Sequence, residues 1–296
     1  MALTLVKPSG YITFIVPTSW TSPTSDSWKL LKSKNIKVIN SADYLRNYFP
    51  GVGSTFSYFL VQNKESDRDT TVVYDKNKSF KVNLNEFEFL PKVITEDTLS
   101  ISKKVLINDL PGRFIRKDRG PFHKERNTVF KYPYITFMKT DGNPDIQYLD
   151  VQDPRQNDKK VLLFRSGYIN PYYDNGENGV GDNIHALTVK SAREGEAIVK
   201  LFKSELYRYI WKVYKHSQFN HGGLMDMVFR DVEELPNLND DTLYTFFKIT
   251  PSEKQTIRTI LNTGNKSVGV EEPVEAAEAA EPKSRYNTKT RKLRRR

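Results

Sequence analysis

The residues whose types and spacing could do chemistry are concentrated in a basic segment, residues 103–131. The segment holds nine Lys and Arg residues against three acidic ones, and Phe114, Phe122 and Phe130 are interleaved with them. Basic side chains neutralise phosphates, while exposed aromatic rings can stack on bases or act as wedges between them. The pattern predicts contact with double-stranded DNA, although a run of charge can also be no more than a solvated surface.

Six side chains of this segment are the predicted DNA contacts. They are Arg113, Arg116, Lys117, Arg119, Lys124 and Arg126. Three of the arginines recur at intervals of three residues, as they would on a helix. Prolines and glycines at positions 111, 112, 120 and 121 nevertheless predict a loop.

Two other patterns are weaker candidates for chemistry. Pro144-Asp145 followed by Asp150-Val151-Gln152 is loosely similar to a metal-dependent nuclease motif, but the spacing is short and Gln stands where Lys is expected. The histidines are His123, His185, His216 and His221. They are scattered, without the helical pair or the Cys partner that zinc sites use. We therefore predict neither a nuclease centre nor a metal site.

The elements that must position these residues begin with a strand at residues 11–16. Its apolar run has one weak polar interruption, Thr13, which is typical of an interior strand of a parallel sheet covered on both faces. A short helix near residues 28–34 and strands at 36–39 and 56–61 are predicted to follow. Because almost nothing precedes the first strand, we expect the back half of a larger fold, with an exposed sheet edge that demands a partner.

Three regions follow from the pattern: 1–65, 66–263 and a tail, 264–296. Apolar periodicity after a capping-box sequence predicts a helix over 192–215, and Thr250-Pro251-Ser252-Glu253 predicts the start of another. The tail is acidic and then strongly basic, so disorder is predicted. Such a tail could hold nucleic acid, serve as a nuclear address, or simply solubilise the chain.

The composition is that of a soluble protein that binds a polyanion. The net charge is +10, the pI is near 9.4, and there is no cysteine. The charge favours a nucleic-acid partner, and the absence of cysteine excludes disulfides and thiolate metal sites. No run of residues has the length of a membrane helix, and no secretory signal is recognisable. We therefore predict a cytoplasmic location and no membrane partner.

Several stretches resemble the adenine-specific DNA methyltransferases of type II restriction-modification systems. YITFIVPTSW at 11–20 and YFPGVGSTFSYFLVQN at 48–63 are similar to the last strands of that family's catalytic domain. Four later stretches resemble, in order, elements of its target-recognition domain. They are KKVLLFRSGYINPYYDN, EAIVKLFKSELYRYIWKVY, HGGLMDMVFRDVEELP and LYTFFKITPSEKQTIRTIL. Together these stretches cover most of residues 1–261.

The resemblance implies a complete enzyme that moves a methyl group from S-adenosylmethionine to an adenine amino group. In that family a glycine-rich turn for the cofactor and an Asn-Pro-Pro-Tyr/Phe loop for the flipped adenine precede the fifth strand. Here ten residues precede that strand. We therefore predict no catalytic and no cofactor-binding residue in this chain, and no activity of the chain alone.

One later segment is similar to the adenine loop. Asn170-Pro171-Tyr172-Tyr173 has its second proline replaced, and it lies roughly 150 residues after the strand that it should precede. A turn with exposed aromatic residues is the favoured interpretation. The glycines at 176, 179 and 181 lie in a polar stretch that predicts a surface loop.

Trp20 is the remaining candidate for DNA contact. It follows the C-terminal end of the first predicted strand, where open α/β sheets bind their ligands, so it could face the flipped base or the DNA. The alternative is that Trp20 packs against the helix that contains Trp28.

The sequence thus predicts an α/β protein with a partial Rossmann-like methyltransferase sheet, a mixed α+β target-recognition domain and a disordered basic tail. Its predicted function is DNA recognition for an adenine-specific methyltransferase, with a separate N-terminal half supplying S-adenosylmethionine binding and catalysis. The alternative is a non-catalytic, sequence-specific DNA-binding remnant. Such a remnant should be monomeric and stable alone, whereas a true half should aggregate or copurify with its complement.

Overall fold

The computed structural model describes most of the chain up to residue 262. The described residues are 2–22, 25–41, 45, 48–49, 55–67, 69–75, 78–106, 114–115, 122–139, 143–164, 170–216 and 238–262. Within these ranges, no helix combines the length and the apolar character that a membrane crossing requires. The tail predicted to be disordered, 264–296, lies outside them.

The described residues form a mixed α/β structure, which confirms the predicted class at that level. The strands are β1 Tyr11–Pro17, β2 Lys34–Asn40, β3 Phe56–Glu65, β4 Asp69–Asp75, β5 Lys78–Asn83, β6 Phe114–Ile115, β7 Tyr132–Met138, β8 Pro144–Leu149, β9 Lys160–Phe164, β10 Tyr172–Asp174, β11 Gly179–Val180 and β12 Ile184–Thr188. The helices are α1 Asp26–Lys32, α2 Glu96–Val105, α3 Ala192–Lys203, α4 Glu205–Tyr214, α5 Asp240–Phe246 and α6 Pro251–Asn262.

The largest sheet has the strand order β1-β3-β2-β4-β5. β3 runs antiparallel to both β1 and β2, so β1 and β2 are parallel to each other, and β4 continues the sheet parallel to β2. Within the described chain β1 lies at the edge of the sheet and pairs only with β3, which agrees with the exposed edge expected there. The parallel setting covered on both faces that was predicted for residues 11–16 is wrong in these residues, because the pairing with β3 is antiparallel and most of β1 is exposed. An apolar run specifies side chains that suit burial, but it does not specify which strands will flank them. The Rossmann-like assignment stays a prediction.

The sheet and the helices after it share one hydrophobic core. It extends from Trp28 and Phe59 near the sheet to Leu99 of α2 and Tyr214 of α4. The sheet itself continues past residue 65, because β4 and β5 belong to it. The predicted boundary between residues 65 and 66 therefore falls inside one sheet, and the division into domains stays a prediction.

Two smaller sheets follow along the chain. One has the order β10-β9-β12-β6, and the other has the order β11-β7-β8. β9 is buried along its whole length, and a second apolar cluster joins Leu162 and Phe164 of β9 to Ile135 of β7. This cluster fixes the β7–β8 hairpin against the four-stranded sheet.

The helix predicted over residues 192–215 is divided at Ser204. The backbone of Ser204 is extended, with φ −63° and ψ 156°, and its side chain accepts a hydrogen bond from the N–H of Tyr207. Ser204 is therefore the N-cap of α4. The apolar periodicity runs through the break, so the pattern predicted both helices correctly but merged them into one. The predicted start of α6 at Pro251 is confirmed. The helix predicted near residues 28–34 is present as α1, but it begins two residues earlier, at Asp26 after its Ser25 cap, and ends at Lys32.

Glu253 joins the start of α6 to α2. It is buried, and its carboxylate accepts hydrogen bonds from Lys104 Nζ at 2.7 and 2.6 Å, from Ser100 Oγ at 2.7 Å and from the N–H of Thr250 at 2.7 Å. Burial alone would raise the pKa of Glu253. The hydrogen bonds from Lys104, Ser100 and Thr250 outweigh burial and lower the pKa below its ordinary value of 4.5.

A pH dependence of stability follows from this network. A carboxyl whose pKa is lower in the folded state stabilises the fold above its unfolded pKa, and that contribution is lost as the pH falls through the folded pKa. We expect urea unfolding to give a free energy that falls more steeply between about pH 5 and pH 3 in the wild-type protein than in Glu253→Gln. Equal slopes for the two proteins would contradict the role given to Glu253.

Candidate nucleic-acid interface

The described part of the basic segment has three pieces: the end of α2 with Lys103 and Lys104, which pair with Glu86 and Glu253, the short strand β6, and a loop at residues 122–131 placed beside β8. His123 and Tyr148 exchange two backbone hydrogen bonds of 2.9 Å, and the N–H of Lys131 donates to the carbonyl of Leu149 at 3.0 Å. Both ends of the loop are therefore fastened to the edge of the β7–β8 hairpin.

Hydrogen bonds within the loop fix its turn. The side-chain oxygen of Asn127 accepts from the N–H of Val129 at 2.9 Å and from that of Phe130 at 2.8 Å, and the N–H of Asn127 donates to the carbonyl of Phe130 at 2.9 Å. This is the turn that an Asn side chain favours by hydrogen bonding to backbone two and three residues on. At the other end, the N–H of Glu125 donates to His123 Nδ1 at 3.1 Å.

The fixed loop presents cations to solvent. Lys124, Arg126 and Lys131 are exposed, with Glu125 the one acid among residues 122–131. Lys131 Nζ lies 5.2 Å from the ring centroid of Tyr132, so that cation is also placed by an aromatic face. The arrangement can bind an array of phosphates, since the backbone that carries these charges is already held in place by hydrogen bonds.

Apolar side chains stand beside these cations. Val129 is 59% exposed at the turn and Phe122 36% at the start of the loop, and on the adjacent hairpin Phe137 and Ile146 are also exposed. Apolar residues among basic ones can pack against sugars or insert between base steps. The hairpin residues were missed from the sequence, although the aromatic-rich run 132–138 is a strand signal that could have placed them next to the basic segment.

The structure describes two of the six predicted basic contacts. Lys124 and Arg126 lie on the ordered loop, where both are exposed. The other four, Arg113, Arg116, Lys117 and Arg119, lie outside the described residues. The aromatic residues have different surroundings. Phe130 is half-buried and stacks on His123, with ring centroids 5.7 Å apart. Phe122 packs on Tyr134, with ring centroids 6.1 Å apart, and 36% of its surface is exposed. The DNA contacts themselves stay a prediction.

Trp20 lies in the core beside the end of β1. It is 7% exposed, its indole N–H donates to Ser57 Oγ at 2.8 Å, and its ring lies 5.8 Å from Trp28 and 4.6 Å from Phe59. These contacts are those of the packing alternative. A DNA contact by Trp20 stays a prediction, and it has to be reconciled with this burial.

The segment at 170–173, which is similar to the adenine loop, packs against the rest of the protein. Tyr172 and Tyr173 belong to β10, and both are half-buried instead of exposed in a turn. A Cβ on Gly195 of α3 would lie 2.3 Å from the Tyr173 ring, so that glycine is where the ring packs on the helix. The hydroxyl of Tyr173 donates to Asn175 Oδ1 at 2.9 Å.

The glycines that follow also serve close packing. The surface loop predicted there is wrong at Gly179 and Val180, which form the buried strand β11. A Cβ on Gly179 would meet Asp153 at 2.8 Å, and one on Gly181 would meet the carbonyl of Ile135 at 2.8 Å. Their backbone therefore approaches other parts of the protein, and these glycines do not fit a cradle for S-adenosylmethionine.

One of the two acidic residues of the nuclease-like pattern, Asp145, is likewise held by neighbours. Asp145 accepts hydrogen bonds from Thr136 Oγ1 at 2.9 Å and from Gln147 Nε2 at 3.1 Å, while Asp150 is exposed. Across the described ranges, no three His, Cys, Asp or Glu residues are grouped so that they could hold a metal ion.

Comparisons with known proteins give distant likenesses. No protein-family model and no curated protein matches the sequence. Among solved structures, the chain is similar to the type IIL restriction-modification enzyme MmeI in complex with DNA, at 10% identity and a TM-score of 0.35, covering 90% of this chain and 48% of that chain. It is also similar to the type IIG restriction endonuclease BpuSI, at 9% identity and a TM-score of 0.31, covering 88% and 43%. The chain thus spans less than half the length of each.

Proposed function

We propose that this chain is the DNA-recognition half of an adenine-specific methyltransferase of the restriction-modification type. A separate chain would bind S-adenosylmethionine and hold the target adenine, and this chain would select the DNA sequence. The single observation that carries the DNA-binding part is the loop at 122–131, which holds Lys124, Arg126 and Lys131 at solvent-facing positions. The methyltransferase part is supported by the sequence resemblance alone.

The rigidity of the loop is what distinguishes it from an ordinary charged surface. A loop that becomes ordered only on binding loses backbone freedom at a cost of about 1–2 kcal/mol per residue, in addition to the freedom of its side chains. Here the backbone on either side of Lys124 and Arg126 is already fixed by the Asn127 turn and by the His123–Tyr148 pair. Phosphate binding would therefore order little beyond the side-chain ends, and more of the electrostatic attraction would remain as affinity.

The sequence of the DNA would be read by other groups than the phosphate-binding cations. Phosphate contacts position a protein on the duplex, whereas base edges and DNA shape carry the information. The exposed Val129 and Phe122 are placed beside the cations and could enter a groove once Lys124 and Arg126 hold the backbone. The target sequence is thus proposed to depend on the apolar residues and on the remaining basic segment.

The alternative, a free-standing DNA-binding remnant, fits the edge of the main sheet less well. A chain that functions alone is expected to protect its sheet edges with charge, proline or bulges. β1 has an apolar outer edge instead, with Tyr11 and Ile15 exposed. That edge is suited to pairing with a further strand, from this polypeptide or from another.

The experiment is a DNA-binding titration of the Lys124→Ala/Arg126→Ala double variant. We expect the Kd for a duplex that carries the preferred sequence to rise about tenfold at moderate salt, and the slope of log K against log salt to fall by about 2, since each phosphate contact contributes about 0.9. Fluorescence anisotropy of a labelled duplex, selected from a random pool with the wild-type chain, measures both.

The matched control is Lys200→Ala/Lys203→Ala, which removes the same charge from exposed positions on α3. Its affinity and salt slope should stay within a factor of about two of the wild-type values, reduced only by the change in net charge. If the two double variants weaken binding equally, the loop is not the interface, and the proposal loses the observation that carries it.

A further inference from the structure

The β7–β8 hairpin has one face in the protein interior and one face directed outward. Side chains alternate along each strand, and directly opposed residues of an antiparallel pair share a face. Ile135 lies on the inner face, where it is buried in the second apolar cluster. Three opposed pairs make up the other face, which we call the outward face. They are Tyr132–Leu149, Tyr134–Gln147 and Phe137–Asp145.

Two residues of the basic loop lie over this outward face. The ring of Phe122 packs on that of Tyr134, with centroids 6.1 Å apart, and Lys131 Nζ lies 5.2 Å from the ring centroid of Tyr132. The loop at 122–131 and the outward face therefore form one continuous surface. A duplex held by the cations of the loop lies against the hairpin residues of that face.

Asp145 is held in one orientation on the outward face. Its Oδ2 accepts hydrogen bonds from Thr136 Oγ1 at 2.9 Å and from Gln147 Nε2 at 3.1 Å. Thr136 is the extra residue where the register between β7 and β8 shifts, and such a bulge re-aims a side chain. Among the described residues no hydrogen bond reaches Oδ1, which lies 3.9 Å from Lys139 Nζ in a looser ion pair. Two donors thus fix the carboxylate while one of its oxygens is left for a ligand.

A fixed carboxylate beside phosphate-binding cations weakens binding to DNA of any sequence, because it repels the phosphates. The repulsion is offset where the carboxylate accepts a hydrogen bond from a base. In the major groove, which admits a two-stranded β-ribbon, cytosine presents its N4 amino group as a donor, and Asp or Glu is the side chain that suits it. The guanine paired with that cytosine presents the acceptors O6 and N7, which suit Lys. An adjacent carboxylate and ammonium therefore complement a C·G base pair.

We propose that Asp145 and Lys139 recognise a C·G base pair in the major groove. Asp145 Oδ1 accepts a hydrogen bond from cytosine N4, and Lys139 Nζ donates to O6 or N7 of the paired guanine. The inference rests on the proposed function, in which this chain selects the DNA sequence, and it assigns the residues that select one base pair of that sequence. Thr136 and Gln147 are positioning residues, because they act on the base only by holding Oδ2.

The exposure of the two side chains suits this role. Asp145 is 20% exposed and Lys139 is 51% exposed, so both are accessible to a duplex without unfolding the hairpin. Their mutual distance of 3.9 Å is longer than a hydrogen bond, and an exposed pair of this kind is weak. Exchanging that pair for two contacts with a base pair therefore sacrifices little.

The experiment measures sequence discrimination by the full chain. A duplex selected from a random pool with the wild-type chain is changed one base pair at a time, and fluorescence anisotropy gives the Kd for each duplex. We expect one C·G pair whose replacement raises the wild-type Kd at least about tenfold. In Asp145→Asn this rise should fall below about threefold. Thr136 and Gln147 would hold the one remaining oxygen, so that the new amide N–H groups would face the amino group of cytosine, donor against donor.

A second variant and a matched control locate the contact. Lys139→Ala changes an exposed side chain after the end of β7, so the fold should tolerate it, and it should reduce discrimination at the same base pair as Asp145→Asn. Asp150→Asn removes the same charge as Asp145→Asn from an exposed position just beyond β8. Discrimination at every base pair should be unchanged in Asp150→Asn. Circular dichroism checks that each variant is folded.

Two outcomes would overturn the inference alone. Either the folded Asp145 and Lys139 variants discriminate at every base pair as the wild-type chain does, or Asp150→Asn loses discrimination as much as Asp145→Asn. If Lys124→Ala/Arg126→Ala still weakens DNA binding in those cases, the DNA-recognition proposal stands while this inference fails. If the wild-type chain selects no sequence from the random pool, both fail.

Discussion

Replacing Lys160 by Ala is expected to lower the free energy of unfolding by about 3–5 kcal/mol, the usual effect of removing one partner of a buried ion pair. Lys160 and Asp174 are each 1% exposed, and Lys160 Nζ lies 2.6 Å from Asp174 Oδ2. The ammonium also donates to the carbonyls of Gln156 at 3.0 Å and Asp158 at 2.9 Å, so all three of its protons are used. Without it, a carboxylate would be buried with no countercharge.

The pair matters because of what Asp174 holds in turn. Its carboxylate accepts from the side chain of Asn178 at 2.7 Å, and that residue leads into β11, where the N–H of Val180 donates to Asp153 at 2.9 Å. β11 then pairs with β7 of the hairpin that carries the candidate interface. Loss of Lys160 should therefore loosen the support of that interface as well as the β9–β10 connection.

The measurement is urea unfolding of Lys160→Ala followed by circular dichroism. The control is Lys37→Ala, which breaks the pair between Lys37 and Asp67, side chains that are 33% and 41% exposed. Pairs between exposed side chains contribute little because water and salt screen them, so this variant should hardly change stability. Lys160→Met/Asp174→Leu removes both charges and should recover much of the loss. If Lys160→Ala and Lys37→Ala are equally stable, the network contributes little to the fold.

What the sequence predicted well was local. The start of α6 follows from Thr250, Pro251 and Glu253, whose capping contacts span three residues. The strands β2 and β3 follow from short apolar runs. The break at Ser204 is local too, but a single capping serine inside a strong apolar period is a weaker signal than the period itself.

The features that the sequence could not predict are contacts between residues far apart in the chain, such as strand pairs and buried ion pairs. Nothing near residues 11–16 indicates that β3 will be the strand that pairs with them in the described sheet, because strand pairing is decided by the whole sheet. Lys160 and Asp174 look like solvated charges in a polar stretch, yet they are buried because their loops meet. Such pairs are invisible to arguments from composition and periodicity.

The candidate interface shows the same division. Exposure of Lys124 and Arg126 could be predicted, since unpaired charges stay in water. Their fixed positions could not, because these depend on hydrogen bonds to Tyr148 and Leu149 across the hairpin. Nor could the interleaved aromatic residues be separated by role, although Phe130 stacks on His123 and Phe122 packs on Tyr134 with 36% of its surface exposed.

Replacing Trp20 by Ala is expected to destabilise the protein by about 3–5 kcal/mol, the cost of deleting a large buried aromatic side chain. The ring fills the space between Trp28 and Phe59, and its N–H is used by Ser57, so the surrounding core cannot easily collapse into the gap. Trp20→Phe keeps an aromatic ring and removes the hydrogen bond, and it should cost about 1–2 kcal/mol. Thermal and urea unfolding measure both.

DNA affinity of the folded variants separates packing from contact at Trp20. If Trp20 only packs, Trp20→Phe should bind the selected duplex with the wild-type Kd, because the loop at 122–131 is unchanged. Phe122→Ala is the comparison variant: its ring is 36% exposed and packs on Tyr134, so truncation should cost less stability than Trp20→Ala and should weaken DNA binding if the interface lies there. If the folded Trp20→Phe variant instead loses affinity, the indole of Trp20 contacts the DNA. Its packing against Trp28 and Phe59 would then have to open when DNA binds. A Phe122→Ala variant with unchanged affinity would in turn place the apolar part of DNA recognition elsewhere than at Phe122.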